Sequence, residues 1–195
     1  MKVEQMVWTS ANGWQMRSGS DAVFHPQLVL FFCASRMDNV DMRFVELRSR
    51  YMGADIIGCT TAGEIAGEEV LDNSVVATAV EFNETRVRVE YTDIQQMTES
   101  FDAGKRLGTA LEKEGLRLVM VISDGHIING TELVQGITSV LGVGIPVTGG
   151  LAGDAAHFEK TGVSVNAPLV EGRVAAIGFY GEHLKIGHGS VGGWN

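Results

Sequence analysis

At 195 residues with 45% apolar side chains, the chain can bury one ordinary core or two small repeats sharing one. A formal net charge of −9, without clustered Lys or Arg, excludes a nucleic-acid binder that works through phosphate contacts. Met1 to Gln5 lacks a basic stretch leading into an apolar core, and the longest apolar run, Leu28 to Ala34, is too short for a bilayer. A soluble, cytoplasmic setting is therefore expected.

Residues Val3 to Thr9 alternate weakly and suit a strand, whereas Ser10 to Ser20 has no clear period, so residues 1–26 read as a lead-in. Pro26 disfavours helix before it, and Gln27 to Ala34 is a continuous apolar run of strand length, as expected when both faces are covered. Asp38 or Asn39 offers an N-cap, and Val40, Phe44, Leu47 and Tyr51 then form one helical stripe that ends near Gly53. Ala54 to Cys59 supplies the next strand, which makes a parallel crossover unit.

Ser74 to Phe82 and Thr85 to Thr92, separated by Asn83-Glu84, read as a hairpin with one wet face. Ala103, Leu107, Ala110 and Leu111 place a helix within Thr98 to Glu114, stopped by Gly115. Arg117 to Ser123 repeats the buried strand. Asn129 and Glu132 resemble a capping box ahead of a stripe of Leu133, Ile137, Val140 and Leu141 that ends at Gly142. Gly162 to Ala167, Arg173 to Tyr180 and His183 to Gly189 are further strand candidates.

The second half repeats the first at an offset of 90 residues, with Val29 on Val119 and Gly58 to Glu64 on Thr148 to Asp154. The expected fold class is α/β (α+β), built as duplicated β-α-β-β-β units over about 27–95 and 117–195 with helices packed on mixed sheets.

In both halves an apolar run gives way to glycines, hydroxyls and a carboxylate, read as a glycine turn. Small residues at strand ends let a ligand approach backbone N–H groups, and a crevice at the carboxyl ends of parallel strands is an expected binding place. The candidate ligand-binding residues are Cys59, Thr60, Thr61, Gly63, Glu64, Asp124, Gly125, Gly149, Gly150 and Asp154. Backbone amides would hold an anion such as a carboxylate, and Glu64, Asp124 and Asp154 an ammonium group, so the set suits an amino acid. The plainer reading is that the glycines serve tight turns and the carboxylates cap neighbouring backbone.

Two cysteines, Cys33 and Cys59, give neither a disulfide framework nor zinc spacing, and reduced thiols are expected. They could lie near each other at adjacent strand ends, where a redox role would be chemically open. Cys59 as a nucleophile would need a base that no nearby histidine supplies. Catalytic residues and metal sites are not expected. Of the five histidines, His25, His126, His157, His183 and His188, the candidates for haem ligation are His126, beside Asp124-Gly125, and His188. No Gly-x4-Gly-Lys-Ser/Thr and no Gly-x-Gly-x-x-Gly after a strand points to a nucleotide.

Ile57 to Ile65, Ser123-Asp124-Gly125 and Gly149 to Asp154, in this order and spacing, resemble the signature segments of FIST N-terminal domains, with the likeness running from about Gln27 to the end. The resemblance implies an intracellular sensory domain for a small ligand, with amino acids suggested, working with a histidine kinase, a cyclic-dinucleotide enzyme or a chemoreceptor. One branch, the NosP-type proteins, implies haem binding and nitric-oxide sensing. In such proteins a longer helix commonly precedes the first buried strand, for which Ser18 to Pro26 leaves little room, and a C-terminal FIST domain follows. The chain ends about where that domain would begin, so strand edges left uncovered are expected to pair in a homodimer.

Overall fold

The computed structural model describes residues 1–19, 23–187 and 189. Its centre is β3 (Leu28–Ala34), which is apolar on both faces because both are covered. Val29, Phe31 and Cys33 face α1 (Val40–Arg50), while Leu28 faces a second sheet. The helical stripe is seated as its spacing requires, with Phe44, Leu47 and Tyr51 all buried. The cap differs: Asn39 is left-handed at φ 59° and its side chain makes no capping bond, since that bond needs an extended N-cap backbone. Beyond the helix, β4 (Asp55–Thr61) runs parallel to β3.

The lead-in is part of this sheet. β1 (Lys2–Thr9) pairs antiparallel with β2 (Gly13–Ser18) on one side and with β7 (Ser74–Glu81) on the other. β2 has no sequence period of its own; its ladder with β1 supplies the order. A small hairpin of β5 (Glu64–Ala66) and β6 (Glu69–Leu71) packs Ala66 and Leu71 over Val7 and Val76.

The expected hairpin of Ser74 to Phe82 and Thr85 to Thr92 does not form. β7 is apolar on both faces and lies centrally between β3 and β1, whereas β8 (Arg86–Asp93) alternates and forms an edge of the other sheet against β12 (Arg173–Tyr180). The described sheets read β11-β4-β3-β7-β1-β2 and β10-β9-β12-β8. β9 (Leu116–Ser123) and β10 (Val147–Leu151) are parallel and joined by α3 (Gly130–Leu141), where the Asn129 side chain accepts the Glu132 N–H as the capping box predicts. β11 (Val163–Val165) crosses back to pair antiparallel with β4. Residues 183–187 of the expected last strand form no strand, and Ser190 to Asn195 lie outside the described residues, as does His188.

The two described sheets share a strand order. β4-β3-β7-β1 matches β10-β9-β12-β8 strand for strand, so each unit is a strand, a β-α-β crossover and a closing strand that pairs with the opening one. The strands matched in this way lie within 2–81 and 86–180. Phe31 pairs with Gly58 and Val121 with Gly149, so the offset is 90 in the first crossover strand and 91 in the second. Both glycines lie against a carbonyl of the neighbouring strand, where a Cβ would come within 2.5 Å of Phe31 O and 1.8 Å of Val121 O. Alignment by chemistry alone had placed Gly58 on Thr148.

The two sheets face each other through Leu28, Ile57, Cys59, Ile122, Ala175, Ile177 and Phe179. Helices cover the outer faces: α1 on the first sheet, and α2 (Ser100–Ala110) with α3 on the second. α2 and α3 meet through glycines, with Gly104 and Gly136 so close that a Cβ on either would lie 2.2 or 2.1 Å from a carbonyl oxygen of the other helix. In the second unit α2 occupies the chain position that β2 takes in the first. No helix among the described residues is long and apolar enough to cross a membrane.

Candidate functional site

All three glycine-containing segments converge where β4, β9 and β10 end. Gly153 N–H donates to Thr60 O at 2.9 Å, Ala152 N–H to Ser123 O at 2.7 Å, and Thr60 N–H to Gly162 O at 3.0 Å. The expected glycine turns are strand for most of their length: Gly58 to Thr61 belong to β4 and Thr148 to Leu151 to β10. Chain reversal starts only after Thr61 and Leu151. At the junction Gly125 is required by packing, since a Cβ would lie 2.0 Å from Ala152 O.

Asp124 and Asp154 bind backbone rather than facing a cleft. Asp124 is 2% exposed, and its oxygens accept the N–H groups of His126 at 2.7 Å, Ile127 at 3.0 Å and Gly172 at 3.1 Å, with the Thr161 hydroxyl at 2.8 Å. Four donors fill the acceptor capacity of a carboxylate, which leaves none for a ligand ammonium. Burial raises its pKa, but these donors outweigh it and hold the carboxyl below its ordinary value. Asp154 accepts from Lys160 N–H at 2.9 Å and Glu159 N–H at 2.6 Å, and these bonds lower its pKa. Both residues follow the plainer capping reading. Thr161, the residue that links Asp124 to Gly125 N–H, carried no sequence signal.

A polar cleft of about 230 Å³ opens at the carboxyl ends of β3 and β4, lined by Ser35, Arg36, Thr61, Gly63, Glu64, Asp72, Asn73 and His157, among others. Its volume lies below the roughly 300–1,000 Å³ of drug-sized sites, which scales it to a small metabolite. Glu64 is 1% exposed; one oxygen accepts the Thr61 hydroxyl at 2.7 Å and the other the Ser74 hydroxyl at 2.8 Å and its N–H at 3.3 Å. No cation pairs with it among its described hydrogen bonds and ion pairs. Arg36, paired with the exposed Glu159, was missed by sequence reading, although its place just beyond a parallel strand is a position where ligand residues fall. Asp72 and His157 had no such signal.

A family model of the FIST N domain matches residues 27–195. The chain belongs to the FIST N domain family. FIST domains are sensory domains, and the family assignment agrees with the mixed α/β architecture. A search of curated proteins gives no match.

In this FIST N domain the remaining candidates fall elsewhere. Gly149 and Gly150 line a separate, largely apolar groove of about 360 Å³ between β10 and α3, with Val121, Ser123, Leu133, Val134 and Leu151. Thr60 is buried and accepts Gly162 N–H through its hydroxyl. Cys59 points into the inter-sheet core and Cys33 into the α1 side, so the two thiols occupy opposite faces of adjacent strands and are not placed for a disulfide. Burial pushes the Cys59 thiol up to about 12 and raises Cys33 further. A protonated, sealed thiol among apolar side chains is no nucleophile. Ellman-type reagents are expected to label neither cysteine of the native protein within minutes and both after denaturation. Rapid native labelling of Cys59 would contradict this burial.

His126 lies with Nε2 buried, 3.5 Å from Asp154 Oδ2, and lines neither the cleft nor the groove. As a haem ligand it would have to leave that carboxylate. His188, the other haem candidate, is outside the described residues. No group of three or more His, Cys, Asp or Glu residues suited to a metal ion occurs among the described residues.

Proposed function

We propose that this FIST N domain binds a small zwitterion of the amino-acid class in the cleft beyond β3 and β4 and passes the bound state to a signalling partner such as a histidine kinase or a cyclic-dinucleotide enzyme. The observation that carries the reading is the charge arrangement of the cleft. One guanidinium, Arg36, and two carboxylates, Glu64 and Asp72, line a pocket of metabolite size. Arg36 matches a ligand carboxylate through paired N–H donors, while Glu64 and Asp72 offer acceptors to an ammonium group. Thr61 and Gly63, both expected from sequence, line the same walls, whereas Asp124, Gly125, Gly149, Gly150 and Asp154 support the surrounding loops and strands.

Binding would require Arg36 to exchange Glu159 for the ligand, and both partners of that exposed pair are free to move at little cost. Glu159 belongs to the loop that His157 and Ala155 contribute to the cleft, so ligand exchange would change the side-chain contacts of this loop while Asp154 keeps its hold on the Glu159 and Lys160 N–H groups. That is a differential contact of the kind a sensor needs.

Isothermal calorimetry with the common amino acids tests the reading. At least one ligand should bind, and Arg36→Ser should weaken it about ten- to a hundredfold through loss of a charge-assisted pair. If no amino acid binds, or if Arg36→Ser binds as tightly as the parent, the zwitterion assignment is wrong.

A further inference from the structure

The ligand cleft has a neighbour. A second cavity of about 300 Å³ shares Ser35 with it and is bounded by the first turn of α1 and the segments on either side of β11. Thr60 and Thr61, consecutive in β4, line the second cavity and the cleft in turn, as the alternating faces of a strand require. The loop over 155–160 serves both, with His157 in the cleft and Lys160 in the second cavity. The Arg36–Glu159 pair joins this loop to the segment after β3. A ligand that takes Arg36 from Glu159 therefore removes a side-chain tie between the segments that line both cavities.

The second cavity combines apolar walls with one unspent charge. Val40 and Leu169, both packed on the core beneath α1, supply the walls. Its charged groups are Asp41, Lys160 and Glu171. Lys160 and Glu171 pair with each other at 2.9 Å, whereas Asp41 pairs with no cation among the described ion pairs. Thr60, buried at the back of the cavity, accepts Gly162 N–H through one hydroxyl lone pair and keeps the second as a further acceptor.

We infer, resting on the amino-acid reading of the cleft, that the ligand is a dibasic amino acid of the lysine or arginine kind. Its α-carboxylate and α-ammonium groups occupy the cleft, and its stem passes Ser35 and runs along Val40 and Leu169 to set the distal cation on Asp41. Charge selects this ligand over the other amino acids. An acidic side chain would meet Asp41 and Glu171, with Lys160 already paired; a neutral one would leave Asp41 without a partner. The two cavities together present four carboxylates, Glu64, Asp72, Asp41 and Glu171, against two cations, Arg36 and Lys160. That excess of negative charge suits a ligand with one carboxylate and two cationic groups, and the net charge of −9 draws such a ligand toward the protein. A long aliphatic stem with a charged end is also what apolar walls leading to a carboxylate accommodate.

Calorimetry with L-lysine, L-norleucine, whose stem ends in a methyl group, and L-glutamate tests the assignment. Lysine should bind about tenfold more tightly than either of the others, the size of one charge-assisted contact. Asp41→Asn should weaken lysine about tenfold and leave norleucine within about twofold, because only the distal contact is lost. Asp41→Glu keeps the charge and should keep most of the preference, and circular dichroism of both variants should match the parent. Norleucine or glutamate bound as tightly as lysine, with Arg36→Ser still weakening them, would overturn the dibasic ligand and leave the cleft reading standing. A lysine preference that survives Asp41→Asn would overturn it equally. Absence of binding by all amino acids would overturn both.

Discussion

Asp124→Ala is expected to destabilise the protein by about 3–5 kcal/mol, because it strands three backbone N–H groups and one hydroxyl in a site with little access to water. Each orphaned donor costs roughly 1–3 kcal/mol, and partial relaxation keeps the sum below the arithmetic total. The loss should depend on pH. The carboxyl is held below its ordinary value in the folded state, so its contribution is complete above the unfolded pKa of about 3.9 and fades as pH falls through the lower folded value. Urea unfolding of parent and variant should therefore show a wide gap at pH 7 that narrows as pH falls through about 4 toward 2. A gap under 1 kcal/mol at pH 7, or one independent of pH, would show that Asp124 is not the bond hub that its geometry describes.

Gly136→Ala and Gly104→Ala should each lower stability by about 2 kcal/mol or more, although alanine gains roughly 1 kcal/mol over glycine inside a helix. The added Cβ would meet Phe101 O at 2.1 Å in one case and Leu133 O at 2.2 Å in the other, and a carbonyl within a helix cannot rotate aside. α2 and α3 would have to separate, opening the contact of Ala103 and Leu107 with Leu133 and Ile137. For a chain of this size the melting temperature should fall by about 4–8 °C per substitution. The double variant should cost less than the sum, because helices already pushed apart by one methyl accommodate the second. Gly130→Ala is the control: its Cβ would meet only Leu151, at 3.9 Å. If Gly136→Ala behaves like the control, the close helix contact is wrong.

What could be read from sequence was local. The buried strands β3 and β9, the stripes of α1 and α3 and the Asn129 cap all rest on residues within one helical repeat or one apolar run, and all appear in place. Pairing between distant segments carried no such signal. β8 alternates as an edge strand should, but nothing near it in sequence says that its partner is β12 rather than β7. β11 is too short to announce a crossover. Gly104, Gly108 and Gly136 form the contact surface between α2 and α3, which neither helix announces on its own. The repeat was visible through its glycines, yet a one-residue difference between offsets 90 and 91 set Gly58 on Thr148 rather than on Gly149.

The candidate site was legible as a place more than as a set of roles. Three segments chosen for their glycines and carboxylates do meet at one end of the sheets. A carboxylate after a strand can serve a ligand or a loop, and only its neighbours decide. Asp124 has four protein donors, while Glu64 has three and lies on the wall of a cleft beside Arg36. That distinction depends on Thr161 and Gly172, far along the chain from Asp124.

The crossing of β11 to β4 bears on how the protein is made. β4 is complete at Thr61, but the strand that covers its edge begins at Val163, about 100 residues later. At the ~5–20 residues per second of translation, that edge stays open on the nascent chain for about 5–20 s. The first unit therefore emerges with its crossover formed and its outer backbone unpaired, at the stage when neighbouring nascent chains are most able to pair with it. A ribosome stalled anywhere between these two strands would present an aggregation-prone intermediate, and chaperone demand should peak in that window rather than after release.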